Sequence, residues 1–204
     1  MQDTPSRLRE AAERLLAERG AARVSLRDIT DAAGANVASV GYHFGSKDAL
    51  LDEVVRDSLT EVFEQQAALL AQLPDDAGLE ELVRAWVLPT FAAHAGQDEA
   101  RRRRTRILQD ALHQPSPAIS ALLAEMAAPV QLHLLDRISR HVPHLSQEEL
   151  WLRHTAVLAA LGALGSDFFA GMLAGTDPDR LADQLVAWIV GGLTADPAGP
   201  RHTP

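Results

Sequence analysis

The sequence predicts an all-α protein, and three observations lead to this prediction. Alanine, leucine and arginine, which favour helices, are abundant, whereas aromatic residues make up only 4% of the 204 residues. Apolar residues recur at helical spacing, and no stretch alternates between apolar and polar residues as a half-buried strand would. Capping residues, glycines and prolines divide the chain into about nine helical segments. These segments predict an N-terminal three-helix domain followed by a larger helical domain.

The first two helices are marked by the residues at their ends. Apolar residues at helical spacing predict a first helix over 5–18, which Gly20 ends. Ser25 followed by Asp28 forms the capping pattern that begins a second helix. Gly34 is expected to end that helix, because glycine adopts the backbone conformation common at helix C-termini.

The third and fourth helices are marked in the same way. Asn36 is a good N-cap for a short third helix over 37–44. Ser46 is the predicted cap of a fourth helix, which is expected to continue to about Leu73. Residues 74–76, with the sequence Pro-Asp-Asp, form the clearest break after this N-terminal part.

Further helices are predicted in the C-terminal part, separated by glycine and proline. They lie near 77–95, 98–113, 117–141, 147–174 and 178–194. The prolines at positions 89 and 129 fall inside two of these helices and are expected to kink them. The predicted domains are 1–47, 48–195 and a disordered tail over 196–204 that is rich in proline and glycine.

The second and third helices are short and joined through a glycine turn. This is the arrangement of a helix-turn-helix unit, whose second helix enters the major groove of DNA. The match extends over the segments LREAAERLLAERG, SLRDITDAAG and ANVASVGYHFGSKDALL. Residues 5–55 thereby resemble the N-terminal domain of the tetracycline-repressor (TetR) family of bacterial transcription regulators. The resemblance implies an N-terminal DNA-binding domain and a C-terminal domain for ligand binding and dimerisation.

By this resemblance, Tyr42, His43 and Lys47 should lie against DNA phosphates, with Lys47 at the start of the fourth helix. The physics agrees, because the N–H groups and dipole at a helix N-terminus attract an anion and an ammonium adds positive charge. Lys47 is also the only lysine in the chain. Arg27 and Thr30, expected on the outer face of the second helix, are further candidates for backbone contact.

The same resemblance gives base reading to a separate set of positions, which are Asn36, Val37, Ala38, Ser39 and Gly41. Gly41 departs from the family pattern, in which tyrosine or asparagine is usual. Val37 and Ala38 are apolar, so methyl contacts and DNA shape are expected to carry more of the specificity than polar readout.

Each phosphate candidate also has a simpler interpretation. Tyr42 by itself fits a half-buried core tyrosine, His43 a structural or solvated histidine, and Lys47 an ordinary surface lysine. Their joint placement after a capped turn favours DNA contact for all three.

The charge distribution permits a nucleic-acid partner despite a net charge of −9. Residues 1–47 contain seven Lys or Arg and six Asp or Glu, whereas the remainder contains twelve and twenty-two. The acidity therefore belongs to the C-terminal part. A nearly neutral domain still binds DNA if its basic groups converge on one face.

The kinked helices of the C-terminal part are expected to leave gaps in which a small molecule binds. In the family this domain holds an effector pocket. Candidate contacts by helical position are Trp86, Phe91, His94, Gln109, His113, Met126, Gln131, His133 and Phe168. Each of them also fits an ordinary core or surface residue.

The last two predicted helices have apolar faces wider than a single partner helix hides, which indicates a four-helix interface between two subunits. The candidate dimer residues are Leu158, Leu161, Gly165, Leu185, Trp188 and Ile189. The family dimerises in this way. A two-fold dimer presents two recognition helices about one DNA turn apart and reads a pseudo-palindrome.

Two further motifs have competing interpretations. The run Arg101–Arg104 with Arg106 fits a site for phosphate or an acidic ligand, but a solvated, salt-bridged face on an acidic domain is favoured. His141 and His144 have metal-ligand spacing, yet Pro143 separates them and the chain has no cysteine. A polar loop without metal is therefore expected.

Together these features predict a ligand-responsive transcriptional regulator, most simply a repressor, that binds a pseudo-palindromic double-stranded DNA operator as a homodimer and is released by a small-molecule effector. The alternative is a constitutive helical DNA-binding or scaffold protein without an effector. The sequence lacks a Gly-rich phosphate loop, a nucleophile motif and a metal set, so neither an enzyme nor a cofactor is expected. The polar N-terminus and short apolar stretches predict a cytoplasmic protein without a membrane partner.

Overall fold

The computed structural model describes most of the chain, and it confirms the all-α prediction for that part. The described residues are 3–95, 103, 106–108, 111, 115–164 and 175–197, with only the backbone of 92–95. They form no strand. The helices are α1 (Thr4–Arg19), a 3-10 helix (Ala21–Arg23), α2 (Leu26–Ala33), α3 (Val37–Phe44), α4 (Lys47–Gln72), α5 (Leu79–Ala95), α6 (Pro117–Ser139), α7 (Gln147–Leu164) and α8 (Pro178–Thr194).

The capping predictions for α2 are confirmed. The Ser25 hydroxyl accepts from the N–H of Asp28 at 3.1 Å, and the Ser25 N–H donates to the Asp28 carboxylate at 2.9 Å. The Ser25 hydroxyl and the Ser25 N–H both donate to the Asp28 carboxylate, which lowers the pKa of Asp28 because these bonds stabilise its charged form. Gly34 ends the helix with φ 58° and ψ 41°, in the left-handed region that only glycine adopts readily.

The predicted ends of α3 and α4 are confirmed as well. The side chain of Asn36 accepts from the N–H of Ala38 at 3.0 Å, so α3 begins at the predicted position. Gly45 ends α3 with φ 81°. Ser46 then accepts from the N–H of Ala49 at 3.0 Å, which caps α4.

The later helices follow the predicted order with shifted boundaries. α5 starts at Leu79 and α6 ends at Ser139, so each is two residues shorter than expected at that end. Both continue through their prolines, Pro89 and Pro129. Most of the predicted helix 98–113 and the tail beyond Pro197 lie outside the described residues, as does the end of the predicted helix 147–174.

The chain forms two compact units. The first contains residues 1–64 and 92–128, and the second contains 65–91 and 129–204. The first unit therefore includes more of the chain than the predicted DNA-binding domain, and α4, α5 and α6 each contribute residues to both units.

The core of the first unit is formed by apolar side chains from α1, α2, α3 and α4. α1 supplies Leu8, α2 supplies Ile29, α3 supplies Val40 and α4 supplies Leu50, all with no exposed surface. Removing such side chains from water is the main force that fixes α3 against α1 and α2.

The second unit buries apolar residues from α5 to α8. Its core members are Leu82, Val83, Trp86, Val87, Leu134, Leu135, Ile138, Leu150, Val157, Leu161, Leu185, Val186, Ile189 and Leu193. The buried side chain of Arg137 donates to the carbonyl oxygens of Leu70, at 3.1 Å, and Pro74. A cation thereby satisfies carbonyls at the C-terminal end of α4.

Within the described ranges, α6 is the one helix long and apolar enough to cross a membrane by length and composition, with a mean hydropathy of 1.4. Its Ile119 and Leu122 belong to the core of the first unit, and Leu134 and Ile138 are buried in the second. These four side chains are buried inside the protein, whereas Leu132 on the same helix is 56% exposed.

Candidate nucleic-acid interface

The α3 helix is held by one face and presents the other to solvent. Val40 is fully buried and Phe44 is partly buried against the core of the first unit. Tyr42 is 86% exposed, and Val37 is exposed as well. The interpretation of Tyr42 as a half-buried core residue is therefore wrong. His43 is exposed beside Tyr42, with the two rings edge to face and their centroids 4.8 Å apart.

The turn between α2 and α3 is fixed by backbone bonds and by α1. The N–H of Ala35 donates to the carbonyl of Thr30 at 2.9 Å. The Arg7 guanidinium on α1 donates to the carbonyl of Gly34 at 3.5 Å. These bonds set the direction in which α3 leaves the turn.

Lys47 occupies the predicted place at the start of α4, but it also has a structural bond. Its ammonium donates to the carbonyl of Val24 at 3.0 Å, and the Asp48 carboxylate lies 3.7 Å away. The side chain is only 30% exposed, so Lys47 is not an ordinary surface lysine. An ammonium has three N–H donors, and the bond to Val24 uses one of them. A phosphate at the helix N-terminus is therefore still within the capacity of this group.

The two candidates on α2 have different environments. Arg27 is exposed, and its guanidinium lies 3.8 Å from the Asp31 carboxylate. Thr30 is 1% exposed, so its predicted place on the outer face of α2 is wrong. Its hydroxyl donates to the carbonyl of Arg27 at 3.1 Å. With Ile29 and Ala33 it continues the buried stripe of an amphipathic helix, and the polar hydroxyl concealed this in the sequence.

The predicted base-reading residues present a mainly apolar surface. Val37, Ala38 and Gly41 are exposed, whereas Ser39 is half-buried. The Asn36 side chain is exposed, but its oxygen is used to cap α3. A Cβ added at Gly41 would meet nothing within 4 Å, so this position leaves space on the surface. Contact with DNA remains a prediction for all of these residues.

Two of the predicted effector residues belong to a set of four side chains in the second unit, here called the buried polar cluster, of which Gln66, Trp86 and His154 are buried and Gln131 is half-buried. Trp86 of α5 stacks on His154 of α7, with ring centroids 5.0 Å apart and an interplanar angle of 9°. His154 Nε2 lies 2.7 Å from the side-chain oxygen of Gln131 on α6. Gln66 of α4 donates to the carbonyl of Trp86 at 2.9 Å. His154 and Gln66 were missed, because each is a single polar residue whose partners lie far away in the sequence.

The remaining effector candidates are not brought together. Phe91 is buried in the second unit, but His133 is exposed. Met126 lies in the first unit, where its sulfur is 3.7 Å from the Thr60 hydroxyl. Outside the described side chains are His94, Gln109, His113 and Phe168.

The predicted dimer residues divide into exposed and buried ones. Leu158 and Trp188 are exposed, Trp188 by 57%. Buried in the core are Leu161, Leu185 and Ile189, which contradicts their place on a subunit surface. The sequence shows one wide apolar face on these helices. It does not distinguish the residues that pack in the chain's own core from those left exposed for a second subunit. Gly165 lies outside the described residues, and the exposed Trp151 and Leu152 were missed.

The two other motifs are described only in part. Of the arginine run, Arg103 and Arg106 are half-buried, and Arg101, Arg102 and Arg104 lie outside the described residues. The ring of His141 bonds to the carbonyl of Ala77 at 3.0 Å, and His144 is exposed in the same loop. Where side chains are described, no group of three or more His, Asp or Glu is arranged to hold a metal ion.

A capped turn that holds a short, exposed helix over a packed three-helix core defines a helix-turn-helix protein. The family model for "Bacterial regulatory proteins, tetR family" matches residues 8–54, and the model for "Tetracyclin repressor-like, C-terminal domain" matches residues 84–192. The chain belongs to the TetR family.

Characterised relatives cover part of the chain. The HTH-type transcriptional repressor KstR2 of Rhodococcus jostii is 36% identical over 99 residues, which are 46% of this chain and 48% of the relative. The HTH-type transcriptional regulator BetI of Brucella anthropi is 32% identical over 127 residues, which are 53% of this chain and 64% of BetI. The chain thus matches about half the length of these relatives.

Solved structures share the whole fold. The ketosteroid transcriptional regulator KstR2 of Mycobacterium tuberculosis has a TM-score of 0.69 at 21% identity, covering 96% of this chain and 97% of that chain. A putative transcriptional regulator from Saccharomonospora viridis, solved in complex with choline, has a TM-score of 0.61 at 23% identity, covering 91% of this chain and 95% of that chain. At this identity the likeness concerns the fold alone.

Proposed function

We propose that the protein is a transcriptional repressor that binds a pseudo-palindromic DNA operator as a homodimer and is released by a small-molecule effector. The observation that carries this proposal is the exposed face of α3, with Tyr42, beside Lys47 at the start of α4. The helix dipole and the Lys47 ammonium favour a phosphate at this place. Relatives that are named transcriptional repressors support the same reading.

Exposed apolar residues on the last two helices support the dimer. Trp151, Leu152 and Leu158 on α7 and Trp188 on α8 are large side chains that remain in solvent. Apolar patches of this kind mark interfaces, and two copies of α7 and α8 would cover them in a four-helix arrangement.

The buried polar cluster supports effector binding, because it places hydrogen-bonding groups inside the apolar core of the second unit. This proposal describes a cytoplasmic regulator that acts through DNA and an effector, with no enzymatic activity, cofactor or membrane partner.

The test begins with selection of bound duplexes from random DNA and continues with fluorescence anisotropy on the selected sequence. Tyr42→Ala and Lys47→Ala should each weaken binding about tenfold, as expected for the loss of a charge-assisted or buried contact. Lys47→Arg keeps the positive charge and should retain most of the affinity. His144→Ala, in an exposed loop of the second unit, is the control.

Sedimentation of the protein–DNA complex should show two chains on one duplex. Selection of no sequence, or full affinity in both alanine variants, would refute the proposed DNA interface. One bound chain for each duplex would refute the dimer. A broad panel of small molecules that leaves operator affinity unchanged would instead support the constitutive alternative.

A further inference from the structure

The buried polar cluster joins four helices through a single chain of hydrogen bonds. Gln66 Nε2 donates to the carbonyl of Trp86 at 2.9 Å, which leaves its side-chain oxygen to accept from Gln131 Nε2 at 3.5 Å. Gln131 then presents its own oxygen to His154 Nε2 at 2.7 Å. Since that oxygen only accepts, the proton of the neutral imidazole must be on Nε2. His154 Nδ1 is consequently an acceptor.

Two polar atoms at the end of this chain have no hydrogen-bond partner among the described residues. They are Trp86 Nε1, a donor, and His154 Nδ1. Trp86 is 1% exposed and His154 is 3% exposed. A buried polar atom without a partner is costly and calls for an explanation such as a bound molecule. The two atoms belong to stacked rings whose centroids lie 5.0 Å apart.

The chemistry of the cluster selects an uncharged molecule. Its described members are two amides, an indole and an imidazole, and burial lowers the pKa of His154 so that the ring is neutral near pH 7. A charged ligand would be buried here without an opposite charge, which is strongly unfavourable.

We propose that the buried polar cluster is the effector site and that it takes an uncharged alcohol or phenol, whose hydroxyl oxygen accepts from Trp86 Nε1 and whose hydroxyl hydrogen is donated to His154 Nδ1. The site itself follows from the four residues. Only the consequence of binding, release of DNA, rests on the proposed function.

Four naphthalene compounds test this selectivity, because they share one ring system and differ in a single group. 2-Naphthol offers a donor and an acceptor, and 2-methoxynaphthalene offers an acceptor alone. 2-Naphthoate is an anion and trimethyl(2-naphthyl)ammonium a cation. Calorimetric titration of the full chain at pH 7.5 should show 2-naphthol binding about tenfold tighter than 2-methoxynaphthalene. Both charged probes should bind at least about tenfold more weakly than 2-naphthol.

Variants identify the atoms responsible. His154→Phe keeps a ring to stack on Trp86 but has no acceptor, so the preference for 2-naphthol over 2-methoxynaphthalene should disappear. Trp86→Phe removes the donor and should weaken both neutral probes about tenfold. His144→Phe makes the same histidine change in an exposed loop and should leave the preference intact.

Several results would overturn the proposal: equal affinity for the two neutral probes, tighter binding of either ion, no binding of any probe, or an unchanged preference in His154→Phe. The comparison of probes on the unaltered protein remains decisive if a variant does not fold. Operator binding is measured separately. Selective binding of 2-naphthol by a protein that recognises no DNA sequence would support this site and refute the proposed function. Operator binding without selective binding of 2-naphthol would refute this site and support the DNA-binding part of the proposed function.

Discussion

The two compact units arrange their polar side chains in opposite ways. In the first unit Arg27, Tyr42 and His43 are exposed on short helices whose ends are fully capped. In the second unit Gln66 and His154 are buried, where four helices share one chain of hydrogen bonds. The first arrangement leaves charged and aromatic side chains open to solvent, where a large partner can reach them. The second has an interior with hydrogen-bonding capacity left over, which suits a small molecule.

Because of this difference in exposure, substitutions of polar residues should have different effects in the two units. Exposed charges contribute little to stability and lose strength in salt, because water and ions screen them. Buried polar groups are sensitive to any change of partner, since there is no water to replace it. Changes to the exposed polar residues of the first unit should therefore affect DNA affinity more than stability, and changes in the buried polar cluster should affect both stability and ligand binding.

The largest effect on the free energy of unfolding is expected for substitutions in the apolar cores, which both units have. Leu8 in the first unit and Leu134 in the second have no exposed surface. Leu8→Ala and Leu134→Ala should each lower the free energy of unfolding by about 3 kcal/mol, through lost burial and the cavity left behind. Urea unfolding followed by circular dichroism measures this loss.

Leu132→Ala is the matched control, because this leucine is exposed on α6 and is not part of the proposed dimer surface. It should change the stability of the isolated chain by less than about 0.5 kcal/mol. A loss below about 1 kcal/mol for either core variant would mean that the corresponding core is not packed as described.

The next-largest effect is a change in the salt dependence of operator binding, which is expected for a variant in the first unit and not for one in the second. Replacing Lys47 with alanine should weaken operator binding about tenfold and reduce the slope of log affinity against log salt by about 1, as expected for one lost phosphate contact. Anisotropy titrations between 50 and 200 mM salt, about the range in which such slopes are measured, give both quantities. His154→Gln should leave the slope unchanged, and an identical slope in the Lys47 variant would exclude a phosphate contact there.

A smaller, pH-dependent effect should belong to the second unit. Burial lowers the pKa of His154 below 6.5, so the unfolded chain takes up its proton first as the pH falls. His154 therefore destabilises the protein progressively as the pH falls below about 6.5. Comparing unfolding free energies at several pH values for the unaltered protein and His154→Gln isolates this contribution, because glutamine can bond to Gln131 but does not titrate.

Two carboxylates near helix N-termini affect stability at a lower pH than His154 does. The pKa of Asp28 is lowered by Ser25, and that of Glu149 by Ser146, so their contributions are lost only as the pH falls below about 4. For His154, the difference in unfolding free energy between the unaltered protein and His154→Gln is compared at pH 7.5 and 5.5, about one unit either side of the histidine pKa. If this difference does not change with pH, His154 is not buried in its neutral form.

The smallest effect concerns two glycines around α3. Gly41→Ala should stabilise the first unit by up to about 1 kcal/mol, because alanine favours helix and nothing lies within 4 Å of the new Cβ. Gly34→Ala should destabilise it by about 1 kcal/mol, since φ is +58° there. Thermal unfolding of both variants measures the contrast, and shifts of the same sign would contradict the assigned backbone conformations.

How far the sequence could predict each unit depends on the distance between bonded residues. The ends of α2 and α3 were predictable because Ser25 bonds to Asp28 and Asn36 to Ala38, two or three positions away. The bond from Lys47 to Val24 spans 23 positions and left no local pattern. Thr30 was misplaced because a hydroxyl that bonds to its own helix can be buried, which its polarity alone does not indicate.

The second unit was harder to predict for the same reason. Gln66 and Gln131 are 65 positions apart, and only the packing of four helices brings them to Trp86 and His154. The dimer residues show another limit. Leu185 and Trp188 lie on one apolar face in the sequence, yet one is buried and the other is exposed.

NMR titration with DNA locates the surface that binds the operator, which we propose to be α3 and the start of α4. The 15N-labelled protein is titrated with the selected operator duplex and with a scrambled duplex of the same composition, while backbone amide shifts are followed. We expect the largest operator-specific shifts between Arg27 and Asp48, centred on Tyr42 and Lys47. Operator-specific shifts confined to the second unit, with Val37–Lys47 unchanged, would refute the proposed DNA interface.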